Sequence, residues 1–275
     1  MERGRRRRDW LAPAAEVARL GADFVERTID AAGASGVVIG LSGGIDSAVS
    51  AALAVRGLGR DRVRGVFLPY RGSDPASLRD ARAVAESLDL ETELHDISAM
   101  ADAAPSVGDA DRLRIGNVLA RCRMITLFDI SARDGSLVLG TGNRTEILLG
   151  YATLHGDAAF GLNPLAPLYK AEVRALARHL DLPSVVLEKA PSADLWAGQT
   201  DEQELGFTYE EADDILHLLI DERLGPRQVA ALGYAPDLVN AVSGRVRAQA
   251  FKWMEIPAME LSGRPLRLAE GTDPS

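Results

Sequence analysis

Residues 36–49 read Gly36-Val37-Val38-Ile39-Gly40-Leu41-Ser42-Gly43-Gly44-Ile45-Asp46-Ser47-Ala48-Val49, an apolar run that breaks at Ser42 and resumes with small, helix-compatible residues. This is the pattern of a strand handing the chain to a helix through a phosphate-binding turn. The adjacent glycines let the backbone approach an anion, Ser42 and Ser47 bring hydroxyls, and the free N–H groups of a helix start donate to phosphate oxygens. Asp46 adds a carboxylate for Mg2+. The whole stretch from Gly40 to Ser47, with Leu41 and Ile45 between the polar positions, is a candidate pyrophosphate cradle. It lacks the Lys of GxxxxGK[ST] and the spacing of GxGxxG, which sets aside ordinary kinase and dehydrogenase readings.

Outward from this turn, strand and helix alternate. AAEVARLGADFVERTIDAAG (14–33) has the spacing of an amphipathic helix and ends at Gly33, ahead of a strand over 36–41. The pattern then predicts a strand at 63–69, a helix at 75–90, a strand of alternating polarity at 91–97, a helix over 109–132 and a buried strand at 136–142. This rhythm predicts an α/β fold, a doubly wound parallel sheet with helices on both faces and ligands at the carboxyl ends of its strands. Beyond residue 170 the chain reads as mainly helical, through AEVRALARHLDL, YEEADDILHLLIDERL and PDLVNAVSGRVRAQAFKWM. The expected organisation is a single domain over 14–258, between a basic tail at 1–13 and a polar tail at 259–275.

Composition narrows the class. At 275 residues and 47% hydrophobic content the chain can bury a core without staples. Its single cysteine, Cys122, excludes an internal disulfide framework, suits a reducing cytoplasm and reads as a packed thiol. His95, His155, His179 and His217 share no metal-ligand spacing. A net charge of −9 argues against a nucleic-acid partner, and the run Arg5 to Arg8 reads as a solvated tail. Without a long apolar stretch, no membrane partner is expected.

A second glycine-rich turn follows the strand at 136–142. It reads Gly140-Thr141-Gly142-Asn143-Arg144-Thr145-Glu146. Thr141 and Glu146 supply a hydroxyl and a carboxylate that could complete a nucleotide and Mg2+ site with Asp46, because Mg2+ is usually held by one or two carboxylates plus phosphate oxygens.

Five motifs now stand in order: SGGIDS at 42–47, NVLARCRM at 117–124, GTGNRTEILLGY at 140–151, NPLAPLYKAEV at 163–173 and KAPSADLWAGQTDEQELGFTYEEAD at 189–213. Together they resemble the ammonia-dependent NAD synthetases, a branch of the PP-loop ATP pyrophosphatases with an adenine nucleotide alpha hydrolase-like, Rossmann-like fold. The resemblance spans roughly residues 15–255. It implies a ligase that adenylates the nicotinate carboxylate of deamido-NAD with Mg·ATP, releases pyrophosphate, and lets ammonia displace AMP to form the amide. No glutamine-hydrolysing domain is expected in this chain, and the resemblance implies a homodimer.

Carried over position by position, the resemblance implies that Gly40, Leu41, Ser42, Gly43, Gly44, Ile45 and Ser47 hold the ATP phosphates, with Asp46 and Glu146 on Mg2+. Thr141, Lys170 and Ser192 correspond to further ATP contacts, Ser192 lying in a segment that resembles a lid. Arg71 is placed at the adenosine end. On the acid side, Arg121 matches a substrate-binding arginine and Arg123 follows two residues on, a plausible anion clamp. Here the chain also departs from the family. Leu154 stands where a substrate-contacting Lys is usual, Gly161 where an Asp precedes the Asn-Pro pair, and Phe251-Lys252 where His-Lys is usual. His155 lies beside the altered segment and is a candidate replacement contact. Two enzyme readings stay open: an NAD synthetase with compensating contacts, or a relative that amidates another carboxylic acid. A third, a non-catalytic nucleotide-binding subunit, is opposed by the retention of Asp46, Glu146 and Lys170.

Overall fold

The computed structural model describes residues 8–104, 112–189 and 201–254. Four strands, β1 (Val37–Gly40), β2 (Val63–Phe67), β3 (Glu91–Leu94) and β4 (Leu137–Val138), pair in parallel in the order β3-β2-β1-β4. Val37 lies between Val63 on one side and Leu137 on the other. The strand order therefore reverses at β1, and the crevice between the carboxyl ends of β1 and β4 is where such sheets bind ligands.

Helices α1 (Ala14–Ala32), α2 (Ile45–Leu58), α3 (Pro75–Ser87), α4 (Ser98–Asp102), α5 (Arg112–Asp134), α6 (Arg144–Leu149) and α7 (Lys170–His179) surround the sheet. Alternation along β1 decides which helices cover which face. Val37, Ile39 and Leu41 join Ile29 of α1, Leu53 of α2, Val84 of α3 and Leu176 of α7 in one core. Val38, with Val66 and Val138, enters a second core under Leu119, Cys122 and Ile130 of α5. Both faces are covered, as a doubly wound sheet requires. Cys122 is a buried thiol, and that burial pushes its pKa up.

The remaining helices, α8 (Ser184–Glu188), α9 (Asp201–Leu205), α10 (Tyr209–Leu216), α11 (Pro226–Ala231) and α12 (Pro236–Gln249), follow the sheet. α10 and α12 build a third core with α6 around Leu149, Tyr209, Ile215 and Val242. That core fixes α6, and so the turn that precedes it. Among the described residues no helix is long and apolar enough to cross a membrane.

Several expectations need correction. The strand expected over 91–97 ends at Leu94, and its alternation does not mark a buried face: Glu91, Thr92 and Leu94 are exposed at the sheet edge. Its acids serve as an edge guard, pairing with Arg64 and Arg133. Residues 8–13 do not trail as a solvated tail. Arg8 pairs with Asp214 at 2.9 Å, the Trp10 ring stacks on His217 at 4.7 Å, and the Ala12 N–H donates to Glu172. The helix expected through YEEADDILHLLIDERL loosens after Leu216 into a π-helical turn at His217–Asp221. Residues 1–7, the tail at 259–275 and the expected start of the 109–132 helix lie outside the described residues.

Candidate active site

β1 delivers the chain to its carboxyl end at Gly40, and α2 begins at Ile45, so residues 41–44 form the connecting turn. Two serines knit this turn. The Gly44 N–H donates to Ser42 Oγ at 3.2 Å, the Ser47 hydroxyl donates to the Gly44 carbonyl at 3.0 Å, and the two hydroxyls lie 3.1 Å apart. Gly43 sits at φ +75°, and a Cβ there would stand 2.4 Å from the Ser77 carbonyl oxygen of α3. Only glycine satisfies both the backbone conformation and the close approach.

The second turn leaves β4 alongside. Ser50 of α2 donates its hydroxyl to the Gly140 carbonyl at 3.0 Å, fixing the two turns together. Asn143 caps α6 reciprocally: its Oδ1 accepts the Glu146 N–H at 3.0 Å, and its own N–H donates to Glu146 Oε2 at 3.3 Å. Its Nδ2 donates to Asp46 Oδ1 at 2.9 Å, bridging the two turns directly.

Lys170 is the first residue of α7 and is buried. Its Nζ lies 2.6 Å from Asp46 Oδ2 and 3.0 Å from Glu146 Oε1, and 4.9 Å from the centre of the Tyr209 ring. Burial disfavours the ammonium, but the two carboxylates outweigh it and hold the Lys170 pKa above its ordinary value. Burial pushes the Glu146 carboxyl up, Lys170 opposing the rise and Asp46 adding to it.

Two carboxylates on separate turns thus converge on one cation. Hard oxygen donors of this kind fit Mg2+, whose remaining positions are filled by waters and phosphate oxygens. Among the described residues no group of three or more His, Cys, Asp or Glu gathers as a metal cluster. A cavity of about 840 Å3 opens beside Asp46, which lines it, while Glu146 and Lys170 do not. Gly40, Leu41, Ser42, Gly44, Asp46, Ser47 and Thr141 form its floor, while Ile45 packs against the core behind.

Arg71 lies on the cavity wall, its guanidinium paired with Asp102 and its N–H donating to Ser98 Oγ at 2.9 Å. Arg123 and Lys252 also line the cavity. Arg123 Nε donates to the Leu68 carbonyl at 3.2 Å, and Lys252 Nζ donates to the carbonyls of Gly150 at 2.7 Å and Ala152 at 2.9 Å. Arg121 does not join Arg123 in one clamp, because positions two apart on a helix face different ways. It donates instead to the Leu154 carbonyl at 3.2 Å, bracing the altered segment. Leu154 is half-buried, while His155 is exposed at φ +58°. Gly161 packs beside Leu137, and Phe251 is 61% exposed; none of these four lines the cavity. Ser192 lies outside the described residues. Lys189, just before it, is held by Asp80 at 2.8 Å and Ser77 at 3.1 Å.

Sequence reasoning passed over Asn143, although Asn-x-x-Glu is a legible capping pattern. It also passed over Tyr209, whose hydroxyl lies 3.0 Å from Asp201 and 3.5 Å from Glu146.

Asp46, Asn143, Glu146 and Lys170 thus join the two glycine-rich turns. The sequence pattern of the NAD synthase family matches residues 17–256. The chain belongs to the NAD synthase family. This NAD synthase family chain is 46% identical over 249 residues to the NH(3)-dependent NAD(+) synthetase of Chlorobium phaeovibrioides, covering 90% of each. Its fold superposes on the NMN synthetase structure from Francisella tularensis with a TM-score of 0.81 at 31% identity, covering 91% of this chain and 100% of that one. The NH3-dependent NAD synthetase of Campylobacter jejuni, solved with a nitrate ion, gives 0.77 at 32% identity, with 90% and 100% covered.

Proposed function

We propose that this NAD synthase family member is an ammonia-dependent ligase that forms NAD from deamido-NAD at the expense of ATP. The observation that carries the reading is the meeting of Glu146 and Lys170 with Asp46, which lines the cavity at the β1 and β4 turns. A nicotinate carboxylate oxygen attacks the α-phosphorus of ATP; the new P–O bond forms as the bond to the β-phosphate bridging oxygen breaks, and pyrophosphate leaves. Ammonia then attacks the acyl carbon, AMP departs with its oxygen, and a proton is lost from nitrogen. Asp46 and Glu146 would hold Mg2+, which would neutralise phosphate charge. Ser42, Ser47 and the backbone of the glycine turn bind and orient the phosphates. Lys170, held between Asp46 and Glu146, stabilises negative charge as pyrophosphate departs. Arg123 and Lys252, which also line the cavity, complement an anionic dinucleotide.

A second reading keeps the chemistry and changes the acid. Leu154, Gly161 and Phe251 offer no charged side chain to a substrate, and one structural relative is named an NMN synthetase. The acid corresponding to NMN is the natural competitor. Pyrophosphate release measured with each acid at saturating Mg·ATP and ammonia separates them: the proposal expects the higher kcat/KM with deamido-NAD, and the reverse ranking establishes the second reading. No pyrophosphate release with either acid is the result expected of a nucleotide-binding subunit without activity.

The same reading includes a homodimer in the cytoplasm. Leu113, Ile125 and Phe128 are exposed apolar residues of α5 and favour that helix as the interface. Sedimentation at micromolar concentration is expected to show a dimer, and a strict monomer rejects it.

A further inference from the structure

Asp213 lies on α10, is 1% exposed, and does not line the cavity. Its two carboxylate oxygens reach two other helices. Oδ1 accepts the Thr145 hydroxyl of α6 at 2.5 Å, and Oδ2 accepts the Ala171 N–H of α7 at 2.8 Å. The Thr145 oxygen in turn accepts the Lys170 N–H at 3.0 Å. First-turn N–H groups of a helix have no partner within it; those of Lys170 and Ala171 find theirs in Thr145 and Asp213, which ties the start of α7 to that of α6. Thr145 and Ala171 are the immediate neighbours of Glu146 and Lys170. The adjacent acid, Asp214, faces outward to Arg8.

From this geometry we infer that Asp213 is a positioning residue: it holds the helix starts that carry Glu146 and Lys170 in register with Asp46 for chemistry on the ATP phosphates. The inference rests on the functional reading above for its consequence in turnover, and on the hydrogen bonds alone for its consequence in nucleotide binding. A carboxylate is required. Thr145 donates its one hydroxyl proton to Asp213 while accepting from Lys170, and Ala171 needs a second acceptor. Asparagine offers one acceptor oxygen and an N–H2 group, so in Asp213→Asn either the Thr145 proton or the Ala171 N–H is left buried without an acceptor.

The test uses the full chain with Mg2+ and a non-hydrolysable ATP analogue, read by calorimetry, beside steady-state turnover. Asp213→Asn and Thr145→Val are each expected to weaken Mg-dependent analogue binding and lower kcat by about 10- to 100-fold, the usual cost of losing a group that orients a ligand-bearing side chain. Thr145→Ser, which keeps the hydroxyl, is expected to recover most of both, and the KM for the acid is expected to move far less than kcat. Folded variants whose analogue binding and kcat match wild type overturn the inference, as does an equal loss in Thr145→Ser and Thr145→Val. If Asp213→Asn fails to fold, the Thr145 pair decides. Because the calorimetry needs no turnover, failure of wild type to use deamido-NAD overturns the functional reading alone.

Discussion

The ammonium of Lys170 sits 2.6 Å from Oδ2 of Asp46, a residue 124 positions earlier in the chain. One belongs to the start of α7, the other to the first turn of α2, and the contact is part-buried. Removing the cation would leave two facing carboxylates, Asp46 and Glu146, without it. Lys170→Met is expected to cut kcat by about 10²- to 10³-fold, the scale for losing one charge-stabilising group. Pyrophosphate release at saturating substrates checks this, and a loss below threefold in a folded variant contradicts it.

Gly43 makes a different kind of prediction, because its role is steric. A left-handed alanine costs roughly 1–2 kcal/mol before any clash is counted. The Cβ would also press on the Ser77 carbonyl and push the turn off α3. Gly43→Ala is expected to lower kcat/KM for ATP by about 10²-fold through misplacement of the phosphate turn. Unchanged ATP kinetics in that variant would show that the turn does not hold the phosphates.

Trp10 anchors the first described residues to the α7 start, stacked on His217 and edge-on to Tyr169 at 5.2 Å. Trp10→Ala is expected to destabilise the fold by about 1–3 kcal/mol from lost aromatic burial. Urea unfolding checks this; an unchanged midpoint would return residues 8–13 to the status of a loose tail.

Glu93 sets an acid limit on stability. Arg133, His95 and Arg64 hold its carboxyl down to about 2 from an ordinary 4.5. A depressed folded pKa means that the contribution is present above pH 4.5 and is lost as pH falls through about 2. The urea midpoint of wild type is expected to drop across that window more steeply than that of Glu93→Gln. Parallel curves for the two proteins would remove Glu93 from the account.

Most of the sheet and its ligand crevice could be read from the sequence, because β1 and β4 are short apolar runs that each end in a glycine-rich turn. Local pattern sufficed there, since both turns lie at adjacent strand ends. It did not suffice for β3, where ETEL alternates in polarity yet lies exposed at an edge, and neighbours rather than period decide burial. Trp10 and Arg8 read as tail because their partners, His217 and Asp214, are some two hundred positions away. Asp213 and Asp214 are indistinguishable in YEEADD; only the packing of α10 against α6 and α7 turns one inward and the other out.

The central claim is that a nicotinate carboxylate oxygen becomes bonded to the α-phosphorus of ATP before the amide forms. Turnover of deamido-NAD carrying ¹⁸O in that carboxylate, with Mg·ATP and ammonia, tests it directly by mass spectrometry of the products. The account predicts one carboxylate oxygen transferred into AMP for each NAD formed, with unlabelled pyrophosphate. Label appearing in inorganic phosphate beside ADP, or AMP free of label while NAD accumulates, would contradict it.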